Sequence, residues 1–153
     1  MKVKEIMTSE PATCTQDTSL AAAAKLMWES DCGILPVVDN GKLAGVVTDR
    51  DMYIALATRD KPASRVKVGE VATKTVLTCE PKDDVRAVLA TMKQARVRRL
   101  PVVGFGGVVL GILSMNDLVL EAGHDKALAS DELLETLQAI CAHHHPVAHV
   151  AIA

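Results

Sequence analysis

The chain has 153 residues with a formal net charge of −2, room for one globular domain or two half-size units sharing a core. That charge gives no electrostatic case for nucleic acid or anionic membrane, and an aromatic content of 2% leaves no platform on which bases could stack. No apolar run approaches the ~20 residues that cross a bilayer, and no signal peptide is evident, so a cytoplasmic protein is expected.

The chain reads as a tandem duplication. An offset of 65 aligns Val3, Glu5 and Thr8 with Val68, Glu70 and Thr73. It then pairs Thr13-Cys14 with Thr78-Cys79, Met27 with Met92, and Leu35-Pro36-Val37-Val38 with Leu100-Pro101-Val102-Val103. One extra residue shifts the offset to 66, and Gly45-Val46-Val47-Thr48-Asp49-Arg50-Asp51 then meets Gly111-Ile112-Leu113-Ser114-Met115-Asn116-Asp117. Two copies suit a closed pair better than a solenoid. The expected boundaries are 1–58 and 68–122 for the repeats, 59–67 for a solvated polar linker, and 123–153 for a C-terminal helix and tail.

Each copy predicts the order strand, helix, strand, strand, helix. A short extended piece at 12–15 (76–79) comes first. Leu20, Ala23, Ala24 and Met27 then mark one helical face, as do Val85, Val88, Leu89 and Met92, with Thr18-Ser19 and Asp83-Asp84 as candidate caps. Extended runs at 34–38 and 43–47 flank Asp39-Asn40-Gly41, a hairpin signal that Gly104-Phe105-Gly106-Gly107 replaces in the second copy. Helices at Asp49–Thr58 and Met115–Ala122 close the copies. Beyond them, 131–142 predicts a further helix with Leu133, Leu134, Leu137, Ile140 and Cys141 on one face. Trp28 is expected to fill a core or an interface. The four cysteines lack any paired spacing, so buried free thiols are expected, with Cys14 and Cys79 equivalent.

The repeated Thr48-x-x-Asp51 and Ser114-x-x-Asp117 read first as capping boxes. A strand feeding a helix N-terminus, made twice, also offers two places for an anionic ligand. With both repeats in register over residues 1–120, the sequence resembles the CBS-pair family, regulatory modules named after cystathionine β-synthase. The resemblance implies an α/β fold in which two β-α-β-β-α repeats pack as one disc about a pseudo-two-fold axis. It further implies a cleft on each side for an adenosine-containing ligand. Carried over, it nominates Asp51 and Asp117 for ribose, Thr48 and Ser114 for phosphate, and the backbone of Ala12, Thr13, Leu77 and Thr78 for the adenine side.

Arg96, Arg98 and Arg99 have no counterparts in the first copy, where Asp31, Gly33 and Ile34 stand. Family members that bind nucleotide phosphates, such as the gamma subunit of AMP-activated kinase, often carry a basic pair at the place of Arg98-Arg99. The arginines therefore tilt the expected ligand toward AMP, then ADP or ATP, with S-adenosylmethionine and NADH behind; a solvated basic face or an interface charge patch is the alternative. The expected protein is a non-catalytic sensor with a regulatory adenine nucleotide, a homodimer, and an unidentified target protein. No P-loop, nucleophile elbow or dinucleotide fingerprint points to catalysis. Two other readings stand beside it: an assembly module with unused clefts, or a metal-binding protein acting through His143, His144 and His145.

Overall fold

The computed structural model describes residues 1–122 and 128–142. Each repeat opens on a helical turn that the sequence reading lacks: α1 (Val3–Ile6) in the first, a 3-10 turn (Val68–Glu70) in the second. The aligned glutamates account for both. Glu5 accepts from the Lys2 N–H at 2.8 Å and Glu70 from the Lys67 N–H at 3.0 Å, satisfying donors that helical turns leave orphaned. After α1, β1 (Thr8–Ser9) is only two residues long.

The main helices follow the sequence closely. Ser19 caps α2 (Leu20–Glu29) by accepting from the Ala22 N–H, and Asp84 caps α4 (Val85–Ala95) by accepting from the Arg86 N–H. Val85, Val88, Leu89 and Met92 are all buried, as expected. On α2 the buried stripe is Leu20, Ala23 and Met27; Ala24 is exposed because the stripe leans toward half-buried Leu26. Trp28 belongs to no core: at the end of α2 it is 87% exposed.

Antiparallel hairpins β2 (Ile34–Asp39) with β3 (Lys42–Thr48), and β4 (Arg99–Val103) with β5 (Val109–Ser114), form the sheets. Asn40 and Gly41 both take positive φ (49° and 77°), the geometry of a tight turn whose twist matches the strands. The expected first strands shrink to single parallel bridges, Cys14 with Val37 and Cys79 with Val102. The cause lies in the Leu-Pro-Val-Val runs. Cys14 bonds the Pro36 carbonyl and the Val38 N–H, and the preceding rung of a parallel ladder would need an N–H on Pro36. Pro101 stops the Cys79 ladder in the same way.

The two halves exchange their opening segments. β1 pairs with β5 of the second repeat, while Thr73 bridges Val46 on β3 of the first. Val3 is fully buried in the core with Leu100, Leu113 and Met92; Val68 is fully buried with Leu20, Leu35 and Val47. Glycine permits the crossing. A Cβ on Gly45 would meet the Thr73 carbonyl oxygen at 2.7 Å, and one on Gly111 the Thr8 carbonyl oxygen at 2.8 Å.

The segment expected as a solvated linker is partly core. Val66 is fully buried, its carbonyl accepts from the Leu20 N–H, and Arg59 pairs with Glu70 at 2.9 Å. α3 (Asp49–Thr58) and α5 (Met115–Ala122) close the repeats at the expected residues. α6 (Ser130–Cys141) packs on the second repeat, burying Leu133, Thr136 and Ile140, with Lys93 of α4 pairing Glu135 at 2.7 Å. Leu134 and Cys141, expected on its buried face, are exposed.

Two outcomes test this packing. Gly111→Ala is expected to lower unfolding stability by about 1–3 kcal/mol, since the obstacle is backbone that cannot swing aside; an unchanged denaturation midpoint would contradict the close approach. Burial pushes the Cys14 thiol up to about 11 and the Cys79 thiol up to about 12, from an ordinary 9.0. Above pH 9 the unfolded chain then binds fewer protons than the folded one, so this stabilisation is whole below pH 9 and lost as pH rises toward 11–12. Cys79→Ala is expected to flatten that alkaline decline in melts recorded across the range.

Candidate functional site

The repeated phrase makes two matching junctions. At the first, Thr48 caps α3: its Oγ1 accepts from the Asp51 N–H at 3.2 Å. Asp51 answers through one oxygen, Oδ2, which accepts from the Thr48 N–H at 3.0 Å and the Thr48 hydroxyl at 2.7 Å. At the second, Ser114 Oγ accepts from the Asp117 N–H at 3.3 Å, and Asp117 Oδ2 accepts from the Ser114 N–H and hydroxyl, both at 2.7 Å. The capping reading is therefore correct at both places. It consumes half of each carboxylate. Asp51 Oδ1 keeps its acceptor capacity, while Asp117 Oδ1 has one long contact, from the Thr8 hydroxyl at 3.4 Å. An ionised carboxylate oxygen so held can take two hydroxyl donors from a sugar.

Each Asp lines a cleft built from both repeats. Asp51 and Thr48 border a cavity of about 390 Å3 whose other wall brings Thr75, Leu77, Arg98 and Arg99 from the second copy. Asp117 and Ser114 border one of about 350 Å3, closed by Thr8, Glu10, Ala12, Asp31 and Ile34 from the first copy. The exchange of opening segments creates both clefts, because it lays each repeat's leading chain beside the other repeat's Asp. Both volumes fall in the range of small-molecule sites.

Of the residues nominated for the adenine side, Ala12 and Leu77 line the clefts. Thr13 and Thr78 do not; Thr78 borders a separate shallow cavity beside Cys79, because alternation along the extended chain turns it to the opposite side. Where the proline stops the parallel ladder, the backbone of Ala12 and of Leu77 makes no hydrogen bond among the described residues. Those amides stand beside the clefts with both donor and acceptor open.

Arg98 lines the Asp51 cleft alone, while Arg99, half-buried, lines both clefts and an outer cavity of about 690 Å3. Arg96 lines neither cleft; it takes a left-handed backbone as the C-cap of α4. Sequence reasoning missed Thr8, Glu10, Asp31, Ile34 and Thr75 as cleft residues. The alignment of Thr8 with Thr73 was the available signal, and it carried no information on which half each segment joins. Among the described residues no group of His, Cys, Asp or Glu could hold a metal ion, and His143, His144 and His145 lie outside them. No helix of the described residues is long and apolar enough to cross a membrane.

The duplicated fold and paired clefts agree with the match of the CBS domain to residues 3–58 and 68–123. The chain belongs to the CBS domain family. CBS domain-containing protein YhcV of Bacillus subtilis is 30% identical over 128 residues, covering 84% of this chain and 90% of that protein. Some other curated relatives, such as the homoserine O-acetyltransferase of Methanocorpusculum labreanum and the inosine-5'-monophosphate dehydrogenase of Mycobacterium leprae, are longer, and the chain spans about a quarter of their length. Among solved structures, the CBS domain pair of protein MJ0100 in complex with 5-methylthioadenosine and S-adenosyl-L-methionine superposes with a TM-score of 0.73. It shares 31% identity over 80% of this chain and 96% of that one. CBSX2 in complex with AMP superposes with a TM-score of 0.67 at 27% identity, covering 79% of this chain and 95% of that one. The tandem CBS pair accounts for most of this chain.

Proposed function

We propose that this CBS pair is a non-catalytic regulatory module, working in the cytoplasm, that binds an adenosine-containing ligand between its repeats (1–58 and 68–122). The observation that carries the reading is the split use of Asp51 and Asp117. One carboxylate oxygen is fixed by its own cap and the other borders a cavity with unbonded backbone on the facing wall. Ribose would be held at the open oxygen, and an adenine edge at the amides of Ala12 or Leu77. The adenosine ligands named with MJ0100 and CBSX2 support the same class here.

AMP is the favoured ligand, ahead of ADP and ATP, because Arg98 and Arg99 suit bidentate phosphate contact. Thr48 and Ser114 already give their hydroxyl protons to Asp51 and Asp117, so the arginines carry the phosphate and the hydroxyls orient the carboxylates. Regulation follows where a ligand prefers one of two shapes, read by a target protein or a second copy.

A ligand at about 100 times its Kd adds roughly 2.7 kcal/mol, several degrees of Tm for a chain of this size. AMP is expected to raise the Tm of the wild type by that amount, and the effect to vanish in Asp51→Ala/Asp117→Ala. No shift with AMP, ADP, ATP, S-adenosylmethionine or NADH would leave the junctions as helix caps and the chain as an assembly module.

We also propose a homodimer through the face where α2, α3 and the start of α5 surround the outer cavity. Trp28 and Tyr53 stand on it 87% and 74% exposed, beside Leu56 and Met52. Light scattering is expected to give twice the chain mass, and Trp28→Glu to give the single mass; a monomeric wild type would contradict this.

A further inference from the structure

The two clefts are built from matching positions, so a difference between partners is a difference between sites. Thr75 in the Asp51 cleft corresponds to Glu10 in the Asp117 cleft, and Arg99 corresponds to Ile34. Ile34 and Arg99 each line both clefts, which sets this pair beside the pseudo-two-fold axis. Symmetry there would give either two guanidiniums or none. The chain has one, shared.

The remaining charges divide unevenly. Arg98 stands in the Asp51 cleft, and its counterpart Gly33 supplies no charge to the other. Two guanidiniums thus face one carboxylate in the Asp51 cleft, whereas Arg99 alone faces Glu10, Asp31 and Asp117 in the second. Glu10 and Asp31 both hold left-handed backbone, with φ of 50° and 47°. Neither Arg98 nor Arg99 is engaged in an ion pair among the described residues.

We infer that the clefts take different classes of adenosine ligand. The Asp51 cleft takes a phosphorylated one, and the Asp117 cleft one whose 5′ substituent carries no negative charge. This rests on the proposed adenosine binding and adds the division between sites. A phosphate in the Asp51 cleft draws Arg99 toward itself and Arg98, because charge-assisted bidentate contacts are the strongest available there. The Asp117 cleft is then left with carboxylates, which repel a second phosphate and leave ribose and adenine contacts untouched. One phosphorylated and one unphosphorylated ligand can therefore be held together.

Calorimetric titration with AMP and with adenosine tests this. The wild type is expected to bind one AMP per chain, with any second AMP at least ~10-fold weaker, the size of one charged hydrogen bond. AMP-saturated protein is expected still to take one adenosine per chain. Asp51→Ala removes the AMP site and Asp117→Ala the adenosine site. Arg98→Gln/Arg99→Gln, which leaves both helix caps intact, brings AMP affinity down to that of adenosine. Two AMP per chain with matching affinities would overturn the division while leaving adenosine binding in place, as would a preference for AMP that survives the arginine double variant. Failure of both AMP and adenosine to bind the wild type would overturn this inference, and failure of ADP, ATP, S-adenosylmethionine and NADH as well would overturn the proposed function with it.

Discussion

The close crossing of chain over strand at Gly45 and Gly111 is the constraint from which the rest of this structure follows. Only hydrogen on Cα lets the carbonyls of Thr73 and Thr8 come so near the strands of the opposite repeat. The approach lets Val46 and Thr73 exchange two backbone bonds of 2.9 Å, and it seats β1 against β5. With the crossing in place, Val3 and Val68 reach cores that belong to the other half. The clefts are its by-product, since the crossing segments bring Thr8, Ala12, Thr75 and Leu77 to face the wrong-repeat aspartates.

At the junctions, the helix cap uses one oxygen of each carboxylate, and the proposed recognition of a sugar would use the other. The inner oxygen of Asp51 or Asp117 completes a helix start and orients the group; the outer one is then presented without a rotamer search. Preorganisation of this kind reduces the ordering cost of binding. The prolines at 36 and 101 act alike on the opposite wall. By ending a ladder one rung early they leave main-chain groups open at Ala12 and Leu77.

Much of this was legible in the sequence because it is local. Hydroxyl-x-x-Asp after two aliphatics placed α3 and α5 to the residue, and Asn40-Gly41 placed the first hairpin, since caps and tight turns depend on a few neighbouring residues. The duplication itself named the family and the paired aspartates. The exchange was not legible, because matched residues such as Val3 and Val68 would look the same whichever core they entered. The linker failed for a related reason: polar composition concealed Val66, whose burial depends on α2 far along the chain. Resemblance placed the adenine-side backbone at the level of a segment, and the alternation of an extended chain brings Ala12 and Leu77, and not Thr13 or Thr78, to line the clefts. Of the two places expected for Trp28, its exposure excludes the core and leaves the interface, a choice that depends on tertiary packing and not on its neighbours in sequence.

The exchange also bears on why the copies share one chain. A lone repeat of this design could bury its leading valine only against another copy, so its folding would be second order and would fail on dilution. Fusion turns that encounter into ring closure at a high effective concentration. It also releases the halves from identity: once partners are no longer drawn from one pool, a change on one side of the axis is not copied to the other. An arginine opposite an isoleucine at 99 and 34 is an arrangement that a symmetric assembly of free repeats could never hold.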